Sequence, residues 1–316
     1  MADKIATRHA YGQALAELGA QESIVALDAD VSTCTMSCDF GKIYPNRFIN
    51  VGIAEANMVG IAAGLSTLGY IPFVHSFAMF TAGRCFEQIR NTIAYPHLNV
   101  KVVGTHAGLS VGEDGATHQC LEDIGIMRTI PGMTIVHPCD GNETKEAVKA
   151  IAAHIGPCYL RLGRAALDVV TGKEGYTFKL GKASLMKSGN DATIIAVGML
   201  VQASLKAAEI LEAEGISVRV LNMHTIKPLD SEAVVAAARE TGAIITAEEH
   251  NIIGGLGSAV AEAVTSSECP VPVFRIGSND TFGQSGNAEA LMELYELTDS
   301  HIAEVVRNIV KSKAIK

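Results

Sequence analysis

The sequence contains no tryptophan, and aromatic residues make up only 5% of its 316 positions. Ala, Val, Ile and Leu must therefore build most of the core. No apolar run approaches the ~18 residues of a membrane-spanning helix. The opening MADKIATRHA lacks the apolar segment of a secretory signal. C-x-x-C pairs are missing too. The seven cysteines (34, 38, 85, 120, 139, 158 and 269) are odd in number, and none sits at zinc-ligand spacing from a histidine. We expect free thiols in a reducing cytoplasm and no metal site on this chain. The formal charge of −9 argues against nucleic acid or an anionic membrane as a partner. It leaves small phosphorylated ligands open, since these need only a local cationic pocket. Neither a G-x-x-x-x-G-K-[ST] loop nor a G-x-S-x-G elbow occurs. The glycines of IIGGLGSAV, at 252–260, lack G-x-G-x-x-G spacing and read as tight packing. Nothing here is a self-sufficient site for a diphosphate.

What is present is a long alternation of strands and helices. SIVALDAD, FINVG, YIPFVHSF, VKVVGTH, MTIVHP and PCYLRLGR read as strands. Helices are expected from Ala6 to Leu18, Glu55 to Thr67, about Met79 to Thr92, near Glu122 to Met127, and from Asn142. The pattern breaks between Ala165 and Asp191. It then resumes with strands ATIIAVG, ISVRVLNM, GAIITAEEH and VPVFRIG. Their helices are VQASLKAAEILEAEG, one capped by Asp230 or Ser231, GGLGSAVAEAV, and a last one from near Ser300 to Lys311. Such alternation indicates parallel sheets covered on both faces. At ~150 residues per domain, the length suggests two. We expect an α/β protein of two domains, each a mostly parallel sheet covered by helices. Their spans are 1–170 and 191–316, with a linker at 171–190.

The stretch from Phe48 to His118 concentrates the chemistry. Glu55 stands in an apolar run, with Gly52 before it and Gly60 and Gly64 after it. It is either an exposed carboxylate starting a helix or a buried one with a partner. The helix it opens is rich in Ala and Gly and apolar nearly all round, so it should be buried. In the loop GEDGATHQ, Asp114 and His118 are framed by Gly112 and Gly115, and His106 ends the preceding strand. This set suits hydrogen bonding to a polyhydroxylated substrate and proton transfer. A solvated surface loop is the plain alternative.

GIAEANMVGIAAGLSTLGYIPFVHSF, GTHAGLSVGEDGATHQ, IPGMTIVHPCDGNET and YLRLGR, in this order and spacing, resemble the thiamine-diphosphate-dependent transketolase family. Weaker similarity runs from ATRHAYG to IKPLD and AEEHNIIGGLGS. The resemblance is to the second and third domains of a full-length transketolase. The first domain, which binds the diphosphate and its metal through a G-D-G motif, has no counterpart here. The resemblance therefore implies a split enzyme. An N-terminal transketolase subunit would carry the G-D-G motif and hold Mg2+ or Ca2+, in an α2β2 assembly.

Residue roles implied by the resemblance follow the matching motifs. Glu55 corresponds to the glutamate that hydrogen-bonds the aminopyrimidine ring nitrogen of thiamine diphosphate. Sharing a proton there favours the imino tautomer, which takes the proton from the thiazolium carbon. Phe77 and Phe80 match two of three aromatics around the pyrimidine; Gly83 stands at the third. His106, Asp114 and His118 match residues that contact the sugar and assist proton transfer. Arg8 and Arg164 match arginines that grip a substrate phosphate, a task suited to a planar bidentate fork. Cys34 falls near a position often held by a phosphate-binding serine.

The leading expectation is the C-terminal subunit of a two-subunit transketolase, moving a two-carbon ketol group from a ketose phosphate to an aldose phosphate. Alternatives are the beta subunit of a 2-oxo-acid dehydrogenase, a deoxyxylulose-phosphate-synthase-like enzyme, and a transketolase for an unusual sugar. A non-catalytic scaffold has no need of Glu55, His106, Asp114 and His118 together. His224 and His250 read as packing or interface residues.

Overall fold

The computed structural model describes residues 4–172 and 175–314. The outermost expected domain positions, 1–3 and 315–316, and linker positions 173–174 lie outside the described residues. In chain order the strands are β1 (Ile5–Ala6), β2 (Ile24–Asp28), β3 (Phe48–Asn50), β4 (Ile71–Phe77), β5 (Lys101–Thr105), β6 (Thr134–Val136), β7 (Cys158–Arg161), β8 (Ala166–Leu167), β9 (Ser184–Lys187), β10 (Ala192–Ala196), β11 (Val218–Asn222), β12 (Thr225–Lys227), β13 (Ile244–Asn251) and β14 (Val273–Ser278).

One sheet has the order β12-β6-β7-β5-β4-β2-β3, and a second the order β14-β13-β10-β11-β9. Each is parallel except for one antiparallel edge strand, β12 in the first and β9 in the second. Central strands such as β2, β5 and β10 are buried along their whole length. Their unbroken Val, Ile and Ala runs fit strands covered on both faces. The protein is thus α/β, with two mostly parallel sheets flanked by helices.

The domains are joined by more than a linker. β12 leaves the second half of the chain and pairs with β6 of the first sheet, Thr225 opposite Val136 and Lys227 opposite Ile135. The stretch expected to be a linker also holds β9, which belongs to the second sheet. Both strands are only three or four residues long. Neither carries an apolar run that would betray it in sequence.

Helix ends follow side-chain chemistry. Helix Gly141–Ala153 begins one residue before the expected Asn142, because Asp140 caps it by accepting the Glu143 N–H at 2.8 Å. Asp230 caps Ser231–Thr241 in the same way. Helix Glu55–Thr67 has the expected bounds but not the expected burial. Met58, Val59, Ala62 and Ala63 are buried, whereas Asn57, Gly60, Gly64 and Thr67 are exposed. Its small residues leave an open face instead of being packed all round. The expected helix from Met79 to Thr92 is interrupted: wide π-helical turns span Met79–Arg84 and Ile89–Ala94, with Phe86–Gln88 α-helical between them. Such turns recur at functional sites.

Candidate active site at the strand ends

In a parallel sheet, ligands meet the loops beyond the carboxyl ends of the strands. The candidate residues converge there. Glu55 follows β3, Phe77 ends β4, His106 follows β5, and Arg164 lies three residues past β7. Arg8, in helix Thr7–Leu18, is brought to the same edge because the Gly163 N–H donates to Thr7 Oγ1 at 3.0 Å.

Glu55 is the buried carboxylate with a partner, although it also starts a helix. It opens a helix, and it is only 3% exposed. Its Oε2 accepts from Arg84 Nη1 at 2.7 Å. Oε1 has no partner among the described residues. The Arg84 guanidinium lies 4.6 Å from the centre of the Phe80 ring. Phe80 stacks near Phe77, with centroids 6.0 Å apart and planes at 25°. Phe77 touches His106 at 4.2 Å and Phe80 meets His118 edge-on at 5.4 Å. An aromatic cleft thus runs from the Glu55–Arg84 pair to two imidazoles. At Gly83, which stands at the third aromatic position, the Met79 methyl covers the space a side chain would enter.

His106 is held in the left-handed region at φ +56, which few non-glycine residues adopt. Such a backbone is kept only where its surroundings fix it, and it marks candidate functional positions. Thr105 Oγ1 engages its Nδ1 at 2.9 Å, and Thr117 Oγ1 engages His118 Nδ1 at 3.0 Å. Burial first, then the charges of Arg8 and Arg164, push the His106 pKa down to about 3. His106 is therefore a neutral imidazole at physiological pH.

The arginines form a cationic pocket in this acidic chain. Arg8, Arg164, Ser110, Val111, Glu113 and Asn287 are among the residues that line it. Arg8 Nη1 donates to the Cys34 carbonyl at 2.8 Å, so Cys34 contributes its backbone there. Arg164 Nη1 donates to the Val111 carbonyl at 2.6 Å and stands 3.8 Å from Asp114. Arg8 Nε is buried without a hydrogen-bond partner among the described residues. A buried orphan donor is costly. Burial lowers the Arg8 pKa, and the like charge of Arg164 acts in the same direction.

Beneath the cleft lies a buried ionic cluster. Arg161 Nε donates to Asp123 Oδ2 at 2.8 Å, and Tyr159 OH donates to the same oxygen at 2.7 Å. Arg161 Nη2 reaches the carbonyls of Cys120 and Glu249, tying the first domain to β13 of the second. Burial opposes the arginine charge, but the Asp123 carboxylate outweighs it and raises the Arg161 pKa. Removing one member of such a pair costs ~3–5 kcal/mol, because the other charge stays buried. His224 stacks on Phe178 at 4.2 Å, and His250 Nε2 accepts the Gly125 N–H at 3.3 Å, so both bridge packed segments.

Sequence reasoning singled out every candidate on the cleft except Arg84, Ser110 and Glu249. A cation shortly after the two expected aromatics was the available signal for Arg84. Nothing local marks Ser110 or Glu249, although the Ser110 N–H donates to the Glu249 carboxylate across the domain junction.

Comparison with known proteins identifies the family. Residues 3–169 match the transketolase pyrimidine binding domain, and residues 181–302 match the transketolase C-terminal domain. A Methanocaldococcus jannaschii protein, described provisionally as a transketolase C-terminal section, is 46% identical over 308 residues, covering 97% of this chain and 96% of that protein. The 6-deoxy-6-sulfo-D-fructose transketolase subunit SqwH of Clostridium sp. (strain MSTE9) is 45% identical over 307 residues, 97% of this chain and 95% of its own. A solved structure described as a split gene transketolase, inactive beta4 tetramer, superimposes with a TM-score of 0.88 at 47% identity, covering 98% of this chain and 99% of that one. The chain therefore belongs to the transketolase family, with that family's pyrimidine-binding domain followed by its C-terminal domain.

Proposed function

We propose that this chain is the C-terminal subunit of a two-subunit transketolase. It moves a two-carbon ketol group from a ketose phosphate to an aldose phosphate and is active only with a partner subunit. The carrying observation is Glu55, a buried carboxylate with one oxygen engaged by Arg84, whose guanidinium covers the Phe80 ring, and the other without a partner among the described residues. That is half of a cofactor pocket. The family depends on thiamine diphosphate, which supplies a nucleophilic carbon and an electron sink for the ketol fragment. Glu55 Oε1 would accept the pyrimidine ring N–H and share its proton, while Phe77 and Phe80 flank the ring. His106, being neutral, would hydrogen-bond the sugar without adding charge, and His118 would move a proton at a sugar hydroxyl. Asp114 would accept from a hydroxyl near the reacting carbons. Arg8 and Arg164 would hold the phosphate, Arg8 through its unpartnered Nε.

The partner is an N-terminal transketolase subunit with the G-D-G motif, which would hold the diphosphate and Mg2+ or Ca2+. Among the described residues no group of three or more His, Cys, Asp or Glu side chains could hold a metal ion. The open face at Gly60 and Gly64 of the helix that Glu55 starts, with nothing within 4 Å of either added Cβ, and Ile53, 78% exposed, suit a docking subunit. The inactive beta4 tetramer of the solved relative supports a subunit that needs its partner; an α2β2 assembly meets that need. The functional units are 1–170 and 191–316, the second also taking in β9 from the stretch between them. No helix among the described residues is long and apolar enough to cross a membrane, and all seven cysteines are free thiols, which suits the cytoplasm.

A second reading concerns the sugar. The Clostridium relative is named for a sulfonated fructose, and a sulfonate would suit the arginine pocket as a phosphate does. Glu55→Gln in the assembled pair tests the main reading. Turnover should fall by about 10³-fold, the scale for losing a group that acts in the transition state, with the fold retained by circular dichroism. Near wild-type turnover would remove Glu55 from the mechanism.

A further inference from the structure

The loop from His106 to Gln119 carries the residues proposed to meet the sugar, yet its supports come largely from the other domain. Glu249, in β13, is 3% exposed, and one of its oxygens accepts the backbone N–H of Ser110 in a short hydrogen bond. Its carboxyl group fills the space a side chain on Gly108 would need, and Gly108 itself has φ +87. Only glycine fits there on both counts. Glu249 and Ser110 also share a cavity of about 10 Å³, room for about one water. That cavity adjoins the arginine pocket, since Ser110 and Ala165 line both. Further along the loop, the Glu113 carbonyl accepts from Ser285 Oγ at 2.6 Å. Gln119 Nε2 donates to the Leu109 and Gly112 carbonyls and, at 2.9 Å, to the Gln284 carbonyl. Asp114 therefore sits on a six-residue turn, Leu109–Asp114, held from the C-terminal domain at Ser110 and Glu113.

We propose that the C-terminal domain positions the sugar-reading loop, with Glu249 the positioning residue that fixes Ser110 and, through it, the turn carrying Asp114. A buried carboxylate is an expensive way to satisfy one N–H. Arg161 makes it tolerable: its guanidinium, bonded to the Glu249 carbonyl at 3.0 Å, lies close enough to offset part of the burial that pushes the Glu249 pKa up. The arrangement ties the loop to the domain junction. The inference rests on the reading that Asp114 contacts the sugar.

The test compares Glu249→Ala with Glu249→Gln, which keeps the acceptor oxygen. In the isolated chain, hydrogen exchange across residues 107–115 should quicken about 10-fold or more in Glu249→Ala and stay near wild type in Glu249→Gln. In the assembled pair, Glu249→Ala should raise KM for the ketose about 10-fold while leaving thiamine diphosphate affinity unchanged, and Glu249→Gln should restore KM. Unchanged exchange in Glu249→Ala overturns the proposal. So does faster exchange with an unchanged ketose KM, since the bond would then serve stability alone. If the wild-type pair lacks transketolase activity, the functional reading falls, while the exchange comparison still decides whether Glu249 holds the loop.

Discussion

Arg84 Nη1 donates to Glu55 Oε2 at 2.7 Å while its guanidinium covers the Phe80 ring at 4.6 Å. One side chain thus fixes the carboxylate and one wall of the cleft. Because Oε2 is engaged, Oε1 is the oxygen left to meet a ligand. Arg84→Ala should lower kcat of the assembled enzyme about 10–100-fold, the scale of a misplaced reacting group. Arg84 is 49% exposed, so screening limits the stability loss to about 1 kcal/mol. Arg84→Lys keeps the charge but not the planar stack, and should fall between. Steady-state kinetics check this; an unchanged kcat in Arg84→Ala would show that Glu55 needs no such support.

Arg164 lies in the cationic pocket, held by the Val111 carbonyl at 2.6 Å. If it grips phosphate in ground and transition states alike, Arg164→Ala should raise KM for phosphorylated sugars about 10–100-fold, the value of a charge-assisted hydrogen bond. The effect on kcat should be smaller. A non-phosphorylated ketose should show little difference between the two proteins. An unchanged KM for the phosphorylated substrate would remove Arg164 from that role.

Glu143 predicts a pH dependence of stability. It lies at the junction of the domains, with Oε1 accepting from Asn222 Nδ2 at 2.8 Å and from the Tyr176 hydroxyl. Burial raises its pKa from 4.5 to about 7, against the pull of hydrogen bonds from the Tyr176 hydroxyl and from Cys139. The folded state therefore holds a proton that the unfolded chain has released. This contribution is complete below pH 4.5 and is lost as the pH rises to about 7. The loss is on the order of 3 kcal/mol. Urea unfolding at about pH 5 and pH 8 should show it in the wild type and not in Glu143→Gln. Equal slopes in the two proteins would contradict it.

Much of this was legible in the sequence, for identifiable reasons. Parallel strands buried on both faces leave apolar runs, so β2 and β10 stood out. Glu55 stood out because a carboxylate in an Ala/Gly run has few explanations. The open face of its helix was hidden, because glycine counts as apolar yet supplies no side chain to bury. β9 and β12 were hidden because three or four residues carry no periodicity, and β12 pairs across the domain junction. The Glu249–Ser110 bond joins positions 139 residues apart. Only the packing of the two domains brings them together. The Gly83 gap was visible, but Met79 as its cover was not, since that depends on the wide turn at Met79–Arg84.

The central claim is that this chain supplies the pyrimidine-side half of a split transketolase site. It is tested most directly by measuring ketol transfer from xylulose 5-phosphate to ribose 5-phosphate with thiamine diphosphate and Mg2+. The chain is assayed alone and then mixed with the G-D-G-bearing N-terminal subunit. The account predicts no turnover from either subunit alone, and turnover on mixing that requires thiamine diphosphate. Turnover by this chain alone, or none from the mixed subunits, would contradict it.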